Sequence, residues 1–319
     1  MQDTNFSRRR LLTGLGALAG AVLLPVESSA ALASEKTGRS TADKAFSYCL
    51  NTSTIMGQQL GLVRELEVAA EAGYDGIEIW INSLNRYVEE GGTLRDLKRR
   101  IADLGIRVEN AIGFAQWIVD DNDTRSRALE QAKREMDLLA QIGCHRLAAP
   151  PAGATDVAGL DLMRAAERYR ALLELGEAME VMPQLEVWGF SQNLSRLGQV
   201  LFVAAEAGHP GARILPDTYH LFKGGSDFDG LKLLSGAAVE IFHMNDYPAE
   251  PPREAMQDKD RVYPGDGVAP VADILRDLHH PAHPTVLSLE LFNRDYWQQD
   301  ALEVAKTGLA KMKAAVESI

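Results

Sequence analysis

From Phe46 to the end of the chain, eight short apolar, β-branched runs alternate with amphipathic segments, and this alternation constrains the fold more than any other feature. The runs begin near Phe46, Tyr74, Ile106, His145, Met182, Arg213, Val239 and Pro284. They are continuously apolar, as strands covered on both faces are. Between them, stretches such as LGLVRELEVAAEAGY and RALEQAKREMDLLAQIGC repeat apolar residues at intervals of three and four, the period of a helix. Several of these stretches end in glycine, at Gly73, Gly105, Gly143 and Gly208, where a helix terminus takes a left-handed residue. Eight strand–helix units predict an α/β fold, a (β/α)8 barrel. The rival, an open doubly wound sheet, calls for a glycine-rich phosphate loop after the first strand, and the sequence has none there.

A barrel of this kind uses about as much sequence as residues 45–319 provide, so one catalytic domain is expected there. The residues before it read differently. Arg8-Arg9-Arg10 precedes the apolar stretch LLTGLGALAGAVLLPV, and Ala31-Leu32-Ala33 offers a small-x-small cleavage site. Residues 1–33 are therefore expected to be a secretory leader of the twin-arginine type, and residues 34–44 a polar linker. The apolar run is short for a membrane span and Pro25 interrupts it, so cleavage and a periplasmic or otherwise exported location, with no stable membrane insertion afterwards, are the expectation.

A net charge of -12 argues against nucleic acid, whose binding draws on Lys and Arg to neutralise phosphates. A small carbohydrate substrate is the expected partner, and self-association into a homo-oligomer is left open. The two cysteines, Cys49 and Cys144, fall inside apolar runs and are expected to be buried thiols.

Four side chains, Glu186, Asp217, His243 and Glu290, sit at the downstream ends of PQLEVW, ARILPD, VEIFHMND and TVLSLELF. In a parallel barrel the downstream ends of all strands meet at one mouth, which carries the active site. Carboxylates inside such apolar runs are costly unless a counter-ion is shared, because desolvating an unpaired charge costs several kcal/mol. Three carboxylates and an imidazole without a thiolate suit one divalent ion, Mn, Mg, Co or Zn. Arg213 and Arg261 are the arginines placed to compete as counter-ions. Asn51, Glu78, Glu109, Asn110, His220 and Asp246 are expected at the same mouth. Trp80, Trp117 and Trp188 are candidates for an apolar wall against a sugar ring, and the Pro-rich stretch from Tyr247 to Pro264 for a lid carrying Arg261.

AGYDGIEIW, LEVWGF, PDTYHLF, FHMNDYP, DRVYPGDG and LSLELFNRDYW follow one another over nearly the whole of the chain after Phe46. In this order they resemble the sugar phosphate isomerase/epimerase superfamily, the xylose isomerase-like TIM barrels. Its members include ketose 3-epimerases, inosose isomerases and dehydratases, 3-dehydroshikimate dehydratases and endonuclease IV. The resemblance implies metal binding by Glu186, Asp217, His243 and Glu290, with the two glutamates as acid and base. It implies substrate contacts from His220 and Arg261, beside which Asp246, Glu78 and Trp188 are expected. The endonuclease branch needs a basic groove, which the acidic chain lacks. A metal-dependent isomerase or epimerase of a keto-sugar, free sugar or cyclitol, acting through an enediolate, is the leading expectation. A lyase of a keto-cyclitol or dehydroshikimate-like acid is the second, and a non-catalytic sugar-binding barrel the third.

Overall fold

The structure, a computed structural model, describes residues 45–319. The expected leader and linker, residues 1–33 and 34–44, lie outside the described residues. Eight strands appear: β1 Phe46–Asn51, β2 Gly76–Trp80, β3 Arg107–Ile112, β4 Arg146–Ala149, β5 Met182–Glu186, β6 Ile214–Leu215, β7 Ile241–Met244 and β8 Thr285–Leu289. Each starts within two residues of the position that the apolar runs predict. All pairings are parallel, in the orders β3-β2-β1-β8-β7 and β4-β5-β6. At one seam His243 N donates to Pro216 O at 3.0 Å and Asp217 bridges to His243, joining β6 to β7. At the other, β3 lies beside β4, and Arg146 Nη1 donates to Glu109 O at 3.1 Å. The strands thereby close into the expected barrel.

The helices are α1 Leu62–Ala72, α2 Ile81–Glu89, α3 Leu94–Leu104, α4 Asn122–Ile142, α5 Leu162–Met179, α6 Leu197–Glu206, α7 Thr218–Lys223, α8 Val271–Leu278 and α9 Ala301–Glu317. Gly73 (φ 92°) and Gly143 (φ 83°) end α1 and α4 in the left-handed conformation that a Cβ penalises. At α6 the expectation shifts by one residue: Ala207 caps the helix in right-handed geometry, and Gly208 turns left-handed after it. No helix among the described residues is long and apolar enough to cross a membrane.

Inside the barrel, Cys49, Ile112, Ala148, Leu215, Ile241 and Val286 form an apolar layer from six strands. A larger core lies between strands and helices, and both cysteines are buried and free, as expected. At the strands' upstream ends, Glu109 pairs with Arg107 and Arg146, and Glu240 with Arg146 and Arg213. Glu109 was expected at the downstream mouth and belongs to this opposite rim. The register between β2 and β3 slips there: Ile77 aligns with Val108 and Glu78 with Asn110, leaving Glu109 as the extra residue. Gly76 makes room for it, since a Cβ would lie 2.5 Å from Glu109 Cγ.

Candidate metal centre

The four side chains read from the strand ends come together. Glu186 is the last residue of β5, His243 lies in β7 and Glu290 follows β8. Asp217 follows β6 by two residues and caps α7, accepting from His220 N at 2.8 Å. His243 Nδ1 lies 3.2 Å from Glu290 Oε2, 3.8 Å from Glu186 Oε1 and 3.8 Å from Asp217 Oδ2. All four residues are at least nine-tenths buried.

The other ring nitrogen explains why Nδ1 faces this centre. His243 Nε2 is 3.0 Å from Glu78 Oε1. Glu78 is in turn held by Asn110 Nδ2 on Oε1 (2.7 Å), and by Asn51 Nδ2 (2.8 Å) and Ser288 Oγ (2.5 Å) on Oε2. A carboxylate behind a histidine fixes the ring's orientation and raises its basicity as a ligand. Glu78, expected against the substrate, is thus fully buried and engaged from behind the imidazole.

Arg261 enters the same space from the loop after β7. Its Nη1 donates to Glu290 Oε2 at 2.8 Å and Asp217 Oδ2 at 3.1 Å, and its Nη2 donates to Asp258 Oδ1 at 2.5 Å. Nη2 also lies 3.1 Å from His220 Nε2. The guanidinium stacks over Tyr219 (4.5 Å) and Phe292 (5.1 Å). An arginine therefore does offset part of the carboxylate charge, although Arg213 does not reach this end. Four carboxylates, Glu78, Glu186, Asp217 and Glu290, still outnumber it.

The donor set fits a divalent ion on two structural grounds. Glu186 Oε2 and His243 Nδ1 are buried without a properly directed hydrogen bond, whereas buried polar atoms are nearly always partnered. Oxygen and imidazole nitrogen donors without thiolate suit the hard-to-borderline ions. The local fields agree. Burial pushes the Glu186 carboxyl up to about 8, with His243 opposing and Glu290 adding to the rise. Burial would also raise Glu290, but His243 and Arg261 hold it below its ordinary value. Burial opposes charge on His243, yet Glu290 and Glu78 hold it well above its ordinary value. His220 is pushed down to about 4 by burial, with Arg261 contributing, so its Nε2 is free to accept from the guanidinium.

Asp246, expected on the substrate, is occupied elsewhere. Its Oδ1 accepts from Tyr247 N (2.8 Å) and Ala269 N (2.9 Å), and its Oδ2 from Gly265 N (3.0 Å) and Gly267 N (3.1 Å). A Cβ on Gly267 would lie 2.3 Å from Asp246 Oδ1, so the last glycine of DRVYPGDG is set by this close approach. Asp246 also exchanges backbone hydrogen bonds with Val262. It anchors the expected lid, which is packed down through Met256 and a Tyr247–Phe222 stack, and so fixes Arg261.

Trp188 and Trp80 do flank an aromatic wall. Trp80 meets Phe114 at 5.2 Å and Phe292 at 6.2 Å, and Trp188 meets Phe114 at 6.2 Å and Phe190 at 5.2 Å. Trp117 does not join it: buried, it donates to Pro150 O and packs on Tyr169. Sequence reasoning missed Phe114, Phe292, Asn245, Ser288 and Asp258. Asn245 donates to Asp217 Oδ2 at 3.0 Å and accepts from Tyr219 N at 2.9 Å. Its place beside His243 in FHMND was the available signal; Ser288 and the phenylalanines carried none.

A profile of the xylose isomerase-like TIM barrels matches residues 66–315. The 3-dehydroshikimate dehydratase of Pseudomonas aeruginosa is 29% identical over 245 residues, covering 73% of this chain and 36% of that protein. The chain thus spans little more than a third of the dehydratase's length. The inosose isomerase of Bacillus velezensis is 26% identical over 274 residues, covering 84% of this chain and 96% of that protein. Among solved structures, the IolI protein with a binding zinc atom superposes with a TM-score of 0.77 at 21% identity, over 85% of this chain and 98% of that one.

Proposed function

The chain belongs to the xylose isomerase-like TIM-barrel family, and from that premise we propose that it is a divalent-metal-dependent isomerase or epimerase of a keto-sugar, free sugar or cyclitol. The observation that carries this reading is the gathering of three carboxylate oxygens around His243 Nδ1 at 3.2–3.8 Å. Glu186, Asp217, His243 and Glu290 would hold one Mn, Mg, Co or Zn ion. When bound, the ion supplies Lewis-acid polarisation of a substrate carbonyl and makes the neighbouring C–H acidic.

The protein's own residues divide the remaining work. Glu186 Oε2 has no hydrogen-bond donor, so it is the oxygen free to take a proton. Glu290 is held at both oxygens, by Asn51 Nδ2 at 3.2 Å and by Arg261 at 2.8 Å. Glu290 would deliver the second proton after taking one from solvent, and Glu186 would release the proton it took to solvent, which closes the cycle. Delivery to the other face of the same carbon gives epimerisation, and delivery to the former carbonyl carbon of the enediolate gives an aldose–ketose shift. The wall of Trp80, Phe114 and Trp188 packs on a sugar's C–H face and keeps water out.

The dehydratase likeness favours a second reading, loss of a β-hydroxyl as water from a keto-cyclitol or dehydroshikimate-like acid. Arg261 weighs against an acid substrate: both its terminal nitrogens are taken by Asp217, Glu290, Asp258 and His220. An exported protein, as residues 1–33 lead us to propose, meets free sugars rather than sugar phosphates.

The test is metal-dependent incorporation of deuterium from solvent across a panel of keto-sugars and cyclitols, with product mass recorded. Unchanged backbone mass with exchange at one carbon supports isomerisation, and loss of water supports the lyase. Exchange that persists in full in the Glu186→Gln protein would remove Glu186 from proton transfer.

A further inference from the structure

We propose that Lys223, the last residue of α7, is the latch of the loop that follows β7 and, through that loop, a positioning residue for Arg261. The proposal rests on the reading of the centre given above, in which Arg261 is held against Glu290 and Asp217.

The loop from Pro248 to Asp260 has little apolar surface to hold it down. Of its side chains only Met256 is buried, and residues 252–255 are all exposed. Ordering such a stretch costs backbone entropy that burial does not offset, so polar contacts have to supply the difference. Among the described residues, the hydrogen bonds that tie residues 248–256 to anything outside the loop all come from α7. Lys223 Nζ donates to Arg253 O at 2.9 Å, Glu254 O at 3.0 Å and Met256 O at 2.8 Å, and Tyr219 Oη donates to Met256 O at 3.1 Å. An ammonium has three N–H groups, and each has its own carbonyl here. Charged donors bond more strongly than neutral ones, so Lys223 outweighs Tyr219 in this set. Arg253 adds a stack over Phe222 at 4.6 Å.

The hold reaches Arg261 through Asp258. That residue lies two positions past Met256 and pairs with Arg261 Nη2 at 2.5 Å, and the arginine, 1% exposed, is bounded otherwise by the rings of Tyr219 and Phe292. The downstream end of the loop has anchors of its own: Asn293 Nδ2 donates to Arg261 O at 3.0 Å, and Asp246 exchanges backbone bonds with Val262. Loss of the latch therefore frees the stretch before Arg261 while the barrel behind it stays folded. Because α7 starts from its cap Asp217, one short helix joins a proposed metal ligand at its beginning to the latch at its end.

The test is the reaction of Arg261 with phenylglyoxal in the full chain as purified, with modified peptides identified by mass spectrometry and the exposed Arg253 as internal standard. A buried guanidinium reacts only while the loop is lifted. Lys223→Met should thus raise the Arg261 rate about tenfold over wild type, Lys223→Gln by less and Lys223→Arg least. For the panel substrate that the wild type exchanges, kcat should fall about tenfold in Lys223→Met and recover in Lys223→Arg, with metal content and circular dichroism unchanged. Arg261 rates equal to wild type in Lys223→Met and Lys223→Gln would overturn the latch, and a raised rate with kcat unchanged would overturn the positioning role. Should Lys223→Met fail to fold, Lys223→Gln decides alone. A wild type without metal-dependent exchange would overturn the isomerase reading instead, and the Arg261 rates would still decide the latch.

Discussion

At the upstream rim of the barrel, Glu109 lies between Arg107 and Arg146, and Glu240 between Arg146 and Arg213. At the downstream mouth, Glu78, Glu186, Asp217 and Glu290 share one arginine, Arg261, and one imidazole, His243. The first cluster closes on itself, with every carboxylate bridged by two guanidiniums. Its arginines are also partly exposed, and such pairs contribute only about 0–1 kcal/mol each. The second leaves buried carboxylate in excess, with Glu186 Oε2 and His243 Nδ1 lacking a directed hydrogen bond. The same residue types thus serve as a self-sufficient brace at one end and, as we propose, as the ligands of a divalent ion at the other.

The sharpest way to break this comparison is substitution at both ends. Glu290→Gln should lower solvent-proton exchange into substrate about 10²–10⁴-fold with the circular dichroism spectrum retained. Glu240→Gln, at the brace, should leave the exchange rate unaltered, and a comparable loss there would erase the distinction between the ends. The next effect is on stability. At a hundredfold excess over its dissociation constant, a divalent ion stabilises the fold by about 2.7 kcal/mol. Chelation should therefore lower the Tm by a few degrees, and a Tm indifferent to chelator would remove the metal from the mouth.

A smaller effect separates the ligand from the group behind it. Glu78→Gln keeps the shape but withdraws the carboxylate from His243 Nε2, and divalent-metal affinity in a chelator competition should fall about 10–100-fold. Unaltered affinity would show that the negative charge behind His243 does not act on the metal. The smallest effect lies at the brace. Burial acts against the Glu240 charge, but Arg146 and Arg213 hold its carboxyl below the ordinary value of 4.5. A depressed carboxylate contributes its stability above the unfolded-state value, and that contribution is lost as pH falls through the folded one. Glu240→Ala should thus cost about 1 kcal/mol near neutrality and nothing measurable well below pH 4, followed by urea unfolding across that range.

Much of the site was legible in advance because the strand ends of a parallel barrel converge whatever the connecting lengths are. An acid or imidazole that ends an apolar run is therefore visible from spacing alone, as Glu186, Asp217, His243 and Glu290 were. Glu109 was misplaced for a physical reason: one extra residue in β3 turns its side chain to the other rim, and the run IRVENAI carries no mark of that slip. Asp246 and Glu78 looked like substrate contacts because both sit near the mouth, but backbone N–H groups claim one and His243, Asn51, Asn110 and Ser288 the other.

The sequence by itself determined the eight strand–helix units and the order of the four strand ends that carry Glu186, Asp217, His243 and Glu290, because helical and strand periods are local properties that neighbouring residues carry. Only the tertiary structure decided which carboxylate backs the imidazole, where Arg261 places its charge, and which rim Glu109 faces. Those facts depend on hydrogen bonds between residues dozens to hundreds of positions apart, such as Asn51 to Glu290 and Ser288 to Glu78, and on burial that exists only once the barrel has closed.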